Sequence, residues 1–167
     1  MRASKLSDRQ SLRIIRERCR SEGQVVVWTN GCFDLLHPGH IASLQSAKSL
    51  GDVLIVGLNS DASVNANKGP TRPVLNERDR ATMLSALACV DHVVIFDEST
   101  PERILQELKP DIHTKGMEYA PPNGRPVPEA ATVISNGGRI EYLPLVPGIS
   151  TTELIRRIAA ANAAGAI

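Results

Sequence analysis

Two histidines, His37 and His40, flank a Pro-Gly pair just after an apolar run, Val25 to Asn30, that stops at Asn30-Gly31. Pro38 suits the first position of a helix, where its missing N–H would be unpaired anyway. Gly39 carries no side chain, so an anion can approach the backbone closely. Imidazoles three residues apart can share one pocket. A strand, a tight turn and a helix start bearing two imidazoles make a place to hold a phosphate, or to stabilise negative charge that grows during a reaction. A metal centre is the rival chemistry. Two histidines at this spacing are too few ligands, and no Cys, Asp or Glu cluster completes them, so no metal site is expected.

Other residues could serve the same anion. Ser150-Thr151-Thr152 opens a late helix, where hydroxyls either cap the helix or, with its free N–H groups, face an anion. Lys68 and Arg72 lie in Asn67-Lys-Gly-Pro-Thr-Arg-Pro73, read here as a mobile loop able to close cations over a phosphate chain. Lys115 follows a short strand and is expected either to meet a phosphate or to be a surface lysine. Asp34 could orient a histidine or meet a sugar hydroxyl, and Asp61 could bind sugar hydroxyls or cap a helix. Cys32 beside the histidines invites a nucleophile reading. Trp28 reads as core, and His92 and His113 as structural histidines on strands.

The elements that must position these residues alternate. Apolar strands are expected at 25–30, 52–59, 92–96, 111–114 and 139–143, with helices at 41–50, 77–89 capped by Asn76, 100–108, 130–135 and from Ser150 to about 161. Strands that are apolar throughout, separated by helices, indicate an α/β fold, a Rossmann-like doubly wound parallel sheet of about five strands with helices on both faces. Ligands bind such sheets at the carboxyl ends of the strands, near the switch point, and residues 31–40 lie at such an end. Segments 60–75, 115–128 and 144–149 resist assignment and are expected to be ligand loops. Residues 1–23 read as an Arg-rich amphipathic helix preceding one domain over 24–167.

Composition sets limits. A chain of 167 residues with a formal charge of +1 gives no electrostatic reason to expect nucleic acid or an anionic membrane as partner. No apolar run approaches the ~20 residues that cross a bilayer. Three widely spaced cysteines argue against a disulfide framework and for a reducing, cytoplasmic setting.

Gly31-Cys-Phe-Asp-Leu-Leu-His-Pro-Gly-His40 resembles the signature of the cytidylyltransferase-like nucleotidyltransferases, and Ile149-Ser-Thr-Thr152 resembles their second hallmark. Between them fall Leu50-Gly-Asp52, Asn59-Ser-Asp61, Lys68-Gly69, Arg72-Pro-Val74, Glu77 to Arg80, Val90-Asp91, Thr100-Pro101 and Lys115-Gly116, with Asn136-Gly-Gly138 after. That ordered series, over roughly residues 24–158, is most similar to the heptose 1-phosphate adenylyltransferases of lipopolysaccharide-precursor synthesis. The resemblance implies ATP and a sugar 1-phosphate as substrates, Mg²⁺ accompanying the triphosphate, and a homodimer. It implies catalytic roles for His37, His40 and Lys68. It implies nucleotide contacts from Asn30, Gly31, Cys32, Phe33, Gly39, Arg80, Gly148, Ile149, Ser150, Thr151 and Thr152. Substrate contacts are implied for Asp34, Asp61, Arg72 and Lys115. Arg80 is preferred to Arg78 because residues two apart on a helix diverge. Cys32 loses its nucleophile reading, since the family accepts Thr or Val there. No kinase half accompanies the resemblance, so a separate protein is expected to supply the 1-phosphate. Alternatives are a glycerol 3-phosphate cytidylyltransferase-like enzyme, an FAD-synthetase-like or pantetheine-phosphate adenylyltransferase, and a non-catalytic nucleotide-binding module.

Overall fold

The computed structural model describes residues 5–165; the expected N-terminal helix begins, on paper, at residues 1–4, which lie outside the described residues. Helix α1 spans Arg9–Ser21, followed by β1 (Val26–Gly31), α2 (Pro38–Lys48), β2 (Val53–Asn59), α3 (Asp61–Lys68) and α4 (Glu77–Ala86). Then come β3 (His92–Phe96), α5 (Glu102–Leu108), β4 (Ile112–Gly116), a 3₁₀ turn at Met117–Tyr119, α6 (Ala130–Ser135), β5 (Arg139–Leu143) and α7 (Thr151–Ala163). The five strands form one sheet in the order β3-β2-β1-β4-β5, every pair parallel, as the apolar runs require.

Strand side chains alternate between two cores. Val27, Leu54, Val56 and Leu58 join Leu44 and Ala47 of α2 and Ala81 and Leu84 of α4 on one face. Val26, Trp28 and Ile55 join Leu12 and Cys19 of α1, Ile104, Leu105 and Leu108 of α5, and Val133 of α6 on the other. Trp28 is fully buried, its ring lying over Gly57, where an added Cβ would meet Trp28 Cζ2 at 2.3 Å. Helix α1 covers that second face and is tied to the start of β4 at the end away from residues 31–40. Arg16 donates from Nε to the Lys109 carbonyl (3.1 Å) and from Nη2 to Asp111 Oδ1 (2.9 Å), while Asp111 Oδ2 accepts from Val26 N (2.7 Å).

Two expectations change. Segment 60–75 is not wholly loop: Ser60 Oγ accepts from Ser63 N (3.2 Å) and starts α3, so Lys68 stands at the end of a helix. A cap of this kind outweighs the weak helix propensity of the Asn- and Ser-rich stretch behind it. Helix α4 ends at Ala86 rather than 89, because Leu87 turns extended (ψ 131°) and Leu87 and Cys89 pack against the core.

The sheet opens where β1 and β4 meet. Their pairing covers Val27 with Ile112 and Trp28 with His113, whereas β1 stays paired to β2 as far as Gly31 with Leu58. Beyond Trp28 and His113 the two carboxyl ends part. This is the switch point, where the chain's order across the sheet reverses.

Candidate nucleotide site

A cavity of about 610 Å³ fills the gap, the size of a small-molecule site. The β1 end supplies Thr29, Asn30 and Gly31, followed by Cys32, Phe33, Asp34, His37, Gly39 and His40. The β4 end supplies Thr114, Lys115 and Gly116, then Glu118 and Tyr119. Lys68 and Arg72 reach it from α3 and beyond, and Leu145, Val146 and Ile149 to Thr152 from the approach to α7.

Two helix starts face this space. His37 is the N-cap of α2, its Nδ1 accepting from His40 N (3.3 Å), with Pro38 behind it in the first turn. An accepting Nδ1 leaves the proton of the neutral ring on Nε2, so His37 can donate into the cavity. His40 stacks on His37, ring centroids 3.7 Å apart and planes 19° apart, and tilts against Phe33 at 5.2 Å. Its Nδ1 is buried without a hydrogen-bond partner, as is Asn30 Oδ1. Buried polar atoms without partners at a cavity wall are what a bound ligand would satisfy. An added Cβ on Gly39 would sit 3.0 Å from His37 Nδ1 and 3.3 Å from Ile149 Cγ2, so a side chain there would require the imidazole to give by a few tenths of an ångström. Across the cavity Ser150 Oγ accepts from Glu153 N (3.1 Å), leaving the first turn of α7 aimed at the same space. Both helix dipoles present their positive ends.

Burial lowers the His37 pKa, and burial together with the neighbouring His37 holds His40 at about 4. Both rings are therefore neutral donors at pH 7 in the free protein. The consequence for stability has a definite sign. An unfolded histidine takes up its proton near pH 6.5 and the folded site resists it, so the stability contribution is whole above 6.5 and is lost as pH falls toward about 4. Thermal unfolding of the protein is expected to drop in midpoint across that window, and His40→Gln to flatten the drop; parallel curves for the two proteins would refute the assignment.

Burial pushes the Cys32 thiol up, so thiolate is scarce and the nucleophile reading fails on physical grounds too. Asp34 does not orient a histidine. Its carboxylate, 1% exposed, accepts from Arg72 Nε (2.6 Å), Val74 N (2.8 Å) and Leu75 N (3.0 Å), and so ties the 72–75 segment to the histidine turn. Burial would raise its pKa, but those three donors hold it below the ordinary value.

Three expected contacts lie away from the cavity. Arg80 is completely buried, donating to the carbonyls of Leu75 (3.0 Å), Cys32 (2.6 Å) and Asn59 (2.8 Å) and to Asp61 Oδ1 (2.7 Å). Every arm of its fork is engaged, so it braces the site from behind and does not line the cavity. Asp61 is its partner and the first residue of α3, and does not line the cavity. Gly148 does not line the space, but its φ of +74° makes the turn that delivers Ile149 and Ser150. The expected ligand loops 115–128 and 144–149 bring Glu118 and Tyr119 and the apolar wall of Leu145 and Val146 to the cavity, whereas the cavity residue Ser43 and Glu129 behind Lys115 lay outside every expected site. Apolar Leu145 and Val146 between Pro144 and Pro147 are the sequence signal for the wall.

A family model described as Cytidylyltransferase-like matches residues 28–157. The chain belongs to the cytidylyltransferase-like family. Among curated relatives of this cytidylyltransferase-like chain, the bifunctional protein HldE of Syntrophotalea carbinolica is 52% identical over 155 residues, 93% of this chain and 31% of that protein. The bifunctional protein HldE of Pelobacter propionicus is 48% identical over 157 residues, with the same two shares, 93% and 31%. The chain thus spans about a third of the length of these relatives, 31% in both. Its fold matches the crystal structure of the lipopolysaccharide core biosynthesis protein from Thermoplasma volcanium with a TM-score of 0.60 and 29% identity, over 74% of this chain and 98% of that one. Among the described residues of the cytidylyltransferase-like chain, no helix is long and apolar enough to cross a membrane.

Proposed function

We propose that the chain is an adenylyltransferase that joins ATP to D-glycero-D-manno-heptose 1-phosphate, giving ADP-heptose and pyrophosphate. The observation that carries this reading is the convergence of two helix starts, two neutral imidazoles and Lys68, Arg72 and Lys115 on one cavity at the switch point. In a chain of net charge +1, the two helix starts, their imidazole donors and the Lys68 ammonium, with Arg72 and Lys115 beside them paired to Asp34 and Glu129, mark a site for a polyphosphate. The ordered motifs and the HldE relatives favour heptose and adenine over other sugar phosphates and bases.

An oxygen of the sugar 1-phosphate attacks the α-phosphorus, a new P–O bond forms, and the bond from that phosphorus to the bridging oxygen of pyrophosphate breaks. The attacking group is already an anion, so no general base is needed. Catalysis consists of alignment and of neutralising charge at the α-phosphate and the leaving pyrophosphate. His37 and His40 donate to the α-phosphate, with the α2 dipole behind them. Lys68 and the first turn of α7 hold the leaving phosphates. Arg72 and Lys115 hold the acceptor, and Asn30 to Phe33, Gly39 and Ile149 frame the nucleoside. Among the described residues no three His, Cys, Asp or Glu side chains gather as a metal cage, so we assign Mg²⁺ to the phosphate oxygens and water of the incoming nucleotide. All three thiols are free, in keeping with a cytoplasmic enzyme, and a homodimer is part of the same proposal.

Pyrophosphate release across a panel of nucleoside triphosphates and phosphorylated acceptors tests the reading. ATP with heptose 1-phosphate should exceed every other pair. Faster release from CTP with glycerol 3-phosphate would replace the substrates, and ATP binding without release from any pair would make the chain a nucleotide-binding module.

A further inference from the structure

A buried carboxylate lies directly behind the β4 wall of the cavity and has no part in the chemistry above. Glu129, just before α6, is 1% exposed. Its Oε1 lies 2.5 Å from Lys115 Nζ and 3.0 Å from His113 Nε2. His113 is fully buried on β4, two residues before Lys115, and so faces the same side of the sheet. The Lys115 side chain is 14% exposed, lines the cavity and stands 5.4 Å from the ring of Tyr119.

An ionised carboxylate only accepts, so His113 must present a proton on Nε2, and one N–H of Lys115 is committed to Glu129. The ammonium carries three donors; two remain for the cavity. Burial alone would push the Glu129 carboxyl up, yet the hydrogen bonds from His113 and Lys115 hold it down at about 2, so the carboxylate is ionised throughout the neutral range. An unanchored lysine samples many rotamers and gives up that freedom when it binds. Held between a carboxylate and an aromatic ring, Lys115 has little left to lose.

We infer that Glu129 is a positioning residue for the acceptor: it fixes the Lys115 ammonium at the β4 wall, where the phosphate of the attacking sugar is received. This rests on the acceptor role given to Lys115 in the proposed function. A residue that merely ties α6 to β4 would affect both substrates and stability together; a positioning residue affects one substrate.

The test is the kinetics of the intact protein with both substrates varied. Glu129→Gln should raise KM for heptose 1-phosphate about tenfold while KM for ATP stays within about twofold. In a Lys115→Met background, Glu129→Gln should add nothing further to the acceptor KM, because one interaction cannot be lost twice. Equal rises in both KM values, or full additivity with Lys115→Met, would overturn the inference. If Glu129→Gln does not fold, Glu129→Asp keeps the charge on a shorter arm and should show the same acceptor-only rise; an unchanged acceptor KM overturns the inference. If the wild-type protein turns over no acceptor, the function is what fails. Calorimetric titration of heptose 1-phosphate then decides the inference alone: binding by wild type that weakens about tenfold in the variant supports it, and equal affinities or no binding to wild type refute it.

Discussion

Replacing His40 by alanine is expected to lower turnover at least ~100-fold, the scale of losing one charge-stabilising donor in a preorganised site. The expectation follows from geometry. His40 is held by stacking on His37 at 3.7 Å and by Phe33 at 5.2 Å, so its ring has no reorientation left to make when charge builds. Its pKa of about 4, set by burial and by His37, keeps it neutral, and a neutral donor binds the ground-state phosphate weakly. The donor's worth appears as negative charge concentrates at the α-phosphate, so the loss should fall on kcat with little change in KM for ATP. His37 offers a less clean substitution, because its Nδ1 also caps α2 and alanine there would cost about 1 kcal/mol of stability. The double variant should be only slightly slower than either single one, since both donors serve one phosphate. Single-turnover pyrophosphate release is the measurement. A folded His40→Ala protein within about tenfold of wild type would move the charge stabilisation to Lys68 and the α7 start.

The sheet and the histidine turn were legible because their signals are local. Apolar runs such as Val53 to Leu58 have no reading other than a covered strand, and His37-Pro-Gly-His40 carries its cap, its helix start and its close approach within four consecutive residues. What stayed hidden depends on pairs far apart in sequence. Asp34 meets Arg72, Val74 and Leu75, and nothing near residue 34 announces those partners. Lys115 finds Glu129 through the return of the chain into α6. Helix α3 was obscured by composition: Asn, Ser and Gly around 60–69 read as loop, although Ser60 ahead of Asp61 is an N-cap followed by a first-turn acid. For Asp34 and Lys115 the missing term was tertiary, a partner far along the chain, whereas the Ser60 cap of α3 is local and was masked only by its neighbours' composition.

Arg80 is the sharpest instance, and it yields the largest stability effect expected here. The resemblance to the nucleotidyltransferase family, which has an arginine at this helix start, implies a nucleotide contact for it. In the fold it is completely buried and joins three carbonyls from separate segments, Cys32 in the histidine turn, Asn59 at the end of β2 and Leu75 before α4, besides Asp61 at the start of α3. Arg80→Met keeps much of the volume and removes every donor. Three carbonyls then lie without that partner, and Asp61, 41% exposed, turns to water. Breaking a buried, hydrogen-bonded charge in this way costs about 3–5 kcal/mol. For a chain of this size the melting temperature should fall by on the order of 10 °C. Arg80→Lys should recover little, because a single ammonium cannot span acceptors that the planar fork reaches together. Calorimetric or circular-dichroism melting gives the stability, and ATP affinity at a temperature where the variant is folded gives the rest. A large drop in melting temperature with ATP affinity reduced less than about tenfold identifies a brace. The reverse, an unchanged melting temperature with binding abolished, would return Arg80 to the nucleotide and require its guanidinium to leave the carbonyls it now joins.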